Sequence, residues 1–216
     1  MMIPTIDLAL DEFVETRPFT DPVYLSQYKQ TLSYMAAQVC VLLEYPYLSA
    51  QPPHIVFFHQ PGNSDWFHRI MIAQPEGLRQ QRALTIVGFF GHTRSDADTM
   101  LVQDFDKTLT AEIPAHPGLY SYSSMALEGA NYANLVVFSD RAARDHWSTS
   151  QAHAQAVQQL SPHYYHTVTI VNGRLPEGIY QHHDLTLIRA KYYDYQCQPR
   201  WQAVRMLTAG IVDLEV

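Results

Sequence analysis

Between residues 84 and 171, strand-length apolar runs and helix-length amphipathic stretches follow one another in a single order. LTIVGFFGH (84–92) is short, apolar and β-branched at its start, the pattern of a buried strand. SDADTMLVQDFDKTLTAEI (95–113) follows as a helix. Ser95 or Asp96 offers an N-cap oxygen, Asp98 suits the positive end of the dipole, and Pro114 stops the segment. LYSYSSMALE (119–128) and YANLVVFS (132–139) are strands, joined by a turn at Gly129 and Asn131. Asp140 caps a helix over 141–160 with a stripe of Ala143, Trp147, Ser150, Ala154 and Val157, ended by Pro162. YYHTVTIV (164–171) is the last strand, closed by Asn172-Gly173.

The β-α-β-β-α-β order is that of a ferredoxin-like unit. Right-handed crossovers place both helices on one face of a four-stranded antiparallel sheet. Strict alternation puts Val87, Phe89, Leu135 and Val137 on one face, with Ile86, Phe90, Val136 and Phe138 on the other. Both faces are apolar, so the face without helices must also be covered, and a second sheet is expected there. It could come from another copy or from the flanks. PVYLSQYKQTLSYMAAQVCVLLEYPYL is a helix with Leu25, Tyr28, Leu32, Ala36, Val39 and Leu43 on one face. Residues 54–73 form a hairpin with Pro61-Gly62-Asn63-Ser64 as its loop. DLTLIRAKYYDY (184–195) is a strand and PRWQAVRML (199–207) a helix that docks by Trp201 and Val204, with Arg200 and Arg205 reaching solvent.

NLVVFSDRAARDHWSTSQAHAQAV resembles the third strand and second helix of the dimeric α/β-barrel proteins, the superfamily of the antibiotic-biosynthesis monooxygenases. Phe138, Trp147, Ser150 and His153 fill the family's aromatic strand end, helix aromatic and polar step. The resemblance covers residues 84–171. It implies an α+β, dimeric α/β-barrel-like core, a homodimer, and a cofactor-independent monooxygenase acting on an aromatic or polyketide-like substrate. Heme-degrading members carry an axial His ten residues after the helix Trp and an Asn on the first strand. Here the first position is Val157, which cannot ligate iron, and LTIVGFFGH has no Asn. Three segments of one globule follow. Residues 1–80 are a helix and hairpin packing on or completing the barrel, 81–175 the ferredoxin-like unit, and 176–216 a C-terminal strand and helix. The two flanks could together make a second half-barrel.

The 216 residues are 47% apolar, enough for a globular core. A net charge of −7 without a Lys/Arg run disfavours nucleic acid and anionic membranes. No stretch approaches the roughly 20 apolar residues of a membrane span. MMIPTIDLALDEFVETRPF lacks the basic start and apolar core of a signal peptide, so a cytoplasmic location is expected. Cys40 and Cys197 lack CxxC spacing and are expected to be reduced. With no HExxH, GxSxG or Gly-rich phosphate loop, no metal, nucleotide or other cofactor is expected. His59 and His68, nearly symmetric about the 61–64 turn, could be cross-strand neighbours.

Six residues are candidates for a site. Trp147 is either a catalytic indole or ordinary packing on its stripe. His153 could take a proton from a phenol, or simply pack beside the helix. His92 closes the first strand, where a pocket mouth would lie, and Asn134 shares a face with Val136 and Phe138. Tyr120 and Tyr122 share a face of the second strand. Trp147 and His153 are thus the catalytic candidates; His92, Tyr120, Tyr122 and Asn134 are the substrate-binding ones. The alternative is a non-catalytic ligand-binding or assembly module of the same fold.

Overall fold

A computed structural model describes residues 4–45, 52–60, 63–97 and 99–208. The chain is α+β. Its strands are β1 (Ile6–Leu8), β2 (His54–Gln60), β3 (Asn63–Ile72), β4 (Leu84–Thr93), β5 (Leu119–Ala126), β6 (Tyr132–Phe138), β7 (Tyr165–Leu175), β8 (Thr186–Asp194) and β9 (Trp201–Met206). Its helices are α1 (Val23–Leu43), α2 (Pro75–Gln80), α3 (Thr99–Glu112), α4 (Arg141–Ser148), α5 (Gln151–Gln155) and α6 (Ser161–Tyr164). Among the described residues these nine strands make a single sheet in the order β1-β9-β8-β7-β4-β6-β5-β3-β2. Every neighbouring pair is antiparallel except β1 with β9.

The central strands follow the expected succession: β4, α3, β5, β6, the α4–α6 segment, then β7. Among the described residues the flanks build no second sheet. The hairpin β2–β3 adds beside β5, and β8, β9 and β1 add beside β7. The apolar face expected to meet another sheet is instead covered by α1. Its predicted stripe is the buried one, with Leu32, Ala36 and Val39 at 0% exposure, packing on Ile86, Leu135, Val137 and Val171. A 21-residue helix at 1.5 Å per residue is about 30 Å long, enough to cross several strands spaced about 4.8 Å apart.

Register corrects the assignment of faces. Val87 pairs with Val136 and Ile86 with Val137. Ile86, Phe90, Leu135 and Val137 therefore face α1. Val87, Phe89, Val136 and Phe138 face α3–α6, where they join Ile113, Trp147, Leu160 and Tyr164 in two clusters.

Four elements depart from expectation. The helix expected over 199–207 is the strand β9, paired with β8 from Asp194–Trp201 to Arg189–Met206. Arg205 does not reach solvent. It is fully buried and donates to the carbonyls of Ala9, Glu12 and Thr20 and to the Tyr192 hydroxyl. The helix expected over 141–160 breaks at Thr149. Asp140 caps α4 as anticipated, but Ser150 accepts from the His153 amide at 3.2 Å and so starts α5. Residues 156–160 form a π turn, and Pro162 sits in the first turn of α6, where a missing N–H is tolerated, rather than ending the helix. The helix expected from residue 95 begins at Thr99, so Ser95 and Asp96 lie too far upstream to cap it; Asp98 lies outside the described residues. In the hairpin, Asn63 and Ser64 already belong to β3, and Pro61 and Gly62 lie outside the described residues. His68 pairs with Phe58 and His59 with Phe67, so the two histidines are not directly opposite.

Candidate functional site

A cavity of about 550 Å³ opens at one end of the sheet, on the α1 side. Antiparallel pairing of β4 with β7 brings the last residues of one beside the first of the other, placing His92 opposite Thr167. The first three turns of α1 roof this corner with Tyr24, Gln27, Tyr28 and Thr31. Leu127, Asn131 and Tyr132 close one side, and Pro18, Phe19 and Gln196 the other.

Each wall has an identifiable support. Tyr28 stacks on Phe90 with ring centroids 4.0 Å apart, and Tyr24 stacks on Tyr28 at 6.3 Å. Burial pushes the Tyr28 phenol up to about 12, against the smaller effect of its hydrogen bond with Thr169, so it stays neutral. Asn131 bridges two chain segments, accepting from the Thr93 amide at 3.1 Å and donating to the Glu128 carbonyl at 2.9 Å. Asp194 pairs with Arg17 at 3.2 Å and accepts from the Gln196 amide at 2.9 Å, which fixes the Gln196 wall. Arg17 lies over the Trp201 ring, and Phe19 meets Trp201 and Tyr192 edge-on. Gly91 is required in this corner, because a Cβ there would lie 2.4 Å from the Tyr165 ring.

The polar edge of the cavity is a histidine pair. His92 stands at the rim. The protein mass around its ring, and then the neighbouring His166, hold it below the usual imidazole range. The Nδ1 of His166 is buried and meets no hydrogen-bond partner among the described residues. His92 is therefore neutral near pH 7, and its imidazole can donate and accept hydrogen bonds or take a proton.

Of the six candidates from sequence, His92 alone lines this cavity. Tyr120 and Tyr122 do not share a face. The register of β5 shifts between Leu119 and Ser121, so Tyr120 packs with the α1-side core against Gly77, while Tyr122 belongs to the core under α4. Tyr122 lies near Arg69, which forms an ion pair with Asp106 of α3. Asn134 sits half-buried on the helix-bearing face, between Ser124 and Phe89. Trp147 is 5% exposed, packed with Ile113, Leu119, Val136 and Phe138. The His116 and His153 rings meet it in T-shaped contacts with centroids 4.7 and 5.9 Å away, and burial lowers the pKa of His153. Trp147, His153 and Tyr122 therefore lie on one face of the sheet and the cavity on the other. His166, Tyr28 and Asn131 were not singled out from sequence. Antiparallel pairing of the first and fourth strands of the 84–171 unit would have placed 166–167 beside 92. That is the signal for His166; Tyr28 carried none beyond its stripe.

Among the described residues no group of three or more His, Cys, Asp or Glu could hold a metal ion, and no helix is long and apolar enough to cross a membrane. No family model matches the chain, and no curated protein matches it. Among solved structures, it is similar to a protein from Shewanella oneidensis, at 14% identity and a TM-score of 0.39, over 44% of this chain and 92% of that one.

Proposed function

We propose that this chain binds a small, flat, mainly apolar molecule with a polar edge in the cleft beneath α1. The observation that carries this is the cavity itself: about 550 Å³, with the stacked Tyr28–Phe90 pair on one wall and the His92–His166 pair at its rim. Stacked rings offer flat apolar surface, and a few converging polar groups orient a ligand. 1-Naphthol is a suitable probe, because it has one flat face and one hydroxyl. Saturation-transfer NMR on the full chain should show binding, with Tyr28→Ala weakening it about tenfold, the worth of one good aromatic contact. Trp147→Phe should leave it unchanged. Loss of binding in Trp147→Phe with retention in Tyr28→Ala would sink the proposal.

The cofactor-independent monooxygenase is the second reading. The strand order β7-β4-β6-β5, with the crossover helices on one face, favours a ferredoxin-like unit. Under this reading the chemistry belongs to the cleft: neutral His92 takes the proton of a bound phenol, and Trp147 contributes only packing. Oxygen uptake with naphthol substrates should then vanish in His92→Ala and persist in Trp147→Phe. A dimeric barrel would need the face that α1 occupies, so the homodimer expected from the resemblance is not part of this proposal.

A further inference from the structure

A second constellation lies across the sheet from the cleft. Arg189 of β8 pairs with Asn172 of β7, and Lys191 with Ile170, so both side chains share the helix-bearing face with Val87 and Phe89. Both are half-buried. No ion pair formed among the described residues includes either of them. With the Asn172 amide oriented to satisfy it, its oxygen accepts from Arg189 Nε at 3.3 Å and Nη2 at 2.8 Å. Asn172 is neutral. It occupies one edge of the guanidinium and leaves the Nη1–Nη2 edge available as a fork.

Helix α4 adds charge of the same sign. Burial, and then Arg144 and Arg141, lower the pKa of Arg189; burial, Arg189 and Arg144 do the same for Lys191. Asp145 is the carboxylate that opposes them, and it is already held by Arg144 at 2.6 Å and by Arg141 at 3.6 Å. Among the described residues Arg144, Arg189 and Lys191 thus face a single carboxylate, Asp145, and the two half-buried ones, Arg189 and Lys191, form no ion pair with it. Such an arrangement is unfavourable unless an anion completes it.

We infer that Arg189 and Lys191, with Arg144 beside them, form a binding site for a phosphate-type oxyanion, either free or carried by a small phosphorylated molecule. The arginine fork receives two oxygens of the anion and the ammonium a third. Titration of the full chain with inorganic phosphate, against chloride at matched ionic strength, tests this. A saturable rise in Tm specific to phosphate is expected. Lys191→Met should bind phosphate about tenfold more weakly, the loss of one charge-assisted hydrogen bond. It should also melt higher than the parent in chloride, because it removes an uncompensated half-buried charge. Lys191→Arg should retain phosphate binding, which decides the matter should Lys191→Met fail to fold. Tighter binding of phenyl phosphate than of phosphate would assign the site to a phosphorylated molecule, and equal binding to the free anion; either supports the inference. No difference between phosphate and chloride, or equal phosphate affinity in the parent and Lys191→Met, overturns it.

Discussion

Two buried basic residues show how far a side chain's environment, rather than its type, decides its role. Arg205 is a cation with no exposed surface, satisfied by three carbonyls and one phenol. Those carbonyls belong to residues 9–20, the strap that carries Pro18 and Phe19 to the cleft. Arg205→Ala would strand them, and should cost about 3–5 kcal/mol in urea unfolding, as breaking a buried charged network does. His68 is the opposite case. It has 0% exposure, and neither ring nitrogen has a hydrogen-bond partner among the described residues. Burial pulls its pKa from 6.5 down to about 4. Above pH 6.5 the ring is neutral whether the chain is folded or not, and the shift has no effect. Between pH 6.5 and about 4 the unfolded chain takes up a proton that the folded chain refuses, so stability falls as the pH falls, by about 3 kcal/mol over that window. His68→Leu should remove that share of the acid sensitivity. Urea unfolding of parent and variant at pH 7 and pH 5 should show a gap that widens at the lower pH; a constant gap would contradict the assignment.

At the scale of elements, α1 is what makes the cleft. Its seat in the sheet is Gly88, where a Cβ would lie 2.6 Å from Leu32 Cδ1 and 2.7 Å from Val171 Cγ2. Gly88→Ala should cost about 1–3 kcal/mol, as overpacking does, and should weaken naphthol binding by displacing the roof. Unchanged binding in a destabilised variant would show that roof and cleft are independent. This helix was legible in the sequence because six apolar residues recur at helical spacing, and the Asp140 cap was legible because cap and stripe agree. β9 was not. A Trp, a Val and two arginines in nine residues fit an amphipathic helix, and the rules that place Arg outside cannot anticipate three backbone acceptors brought by residues 9–20. The cleft was half legible for the same reason. His92 could be placed at a strand end, but its partner His166 needed the strand order, and Tyr120 was misplaced by a single bulge that no local pattern announces.

For the whole molecule, the decisive fact is that the described strands form one open sheet, with α1 where a second sheet was expected. A barrel-type dimer would have to expel α1 and expose Leu32, Met35, Ala36 and Val39, all at 0% exposure. At roughly 1.5–3 kcal/mol for each large apolar side chain, that exchange is unfavourable. An open sheet does keep two edges. One is closed by the three-residue β1, pairing in parallel with β9. The other is β2, seven residues long, with Ile55 at 51% and Phe57 at 55% exposure on the helix-bearing face. A long edge with apolar side chains and unpaired backbone groups is a template for a further strand. Any self-association of this chain should therefore run through β2 and not through the α1 face. Sedimentation velocity over a concentration series should show reversible association in the parent. Phe57→Lys should suppress it and change unfolding stability by no more than about 0.5 kcal/mol, since an exposed substitution removes little native packing. Association that survives Phe57→Lys but is lost when the roof is disturbed by Gly88→Ala would place the interface on α1 instead, and restore the face-to-face dimer.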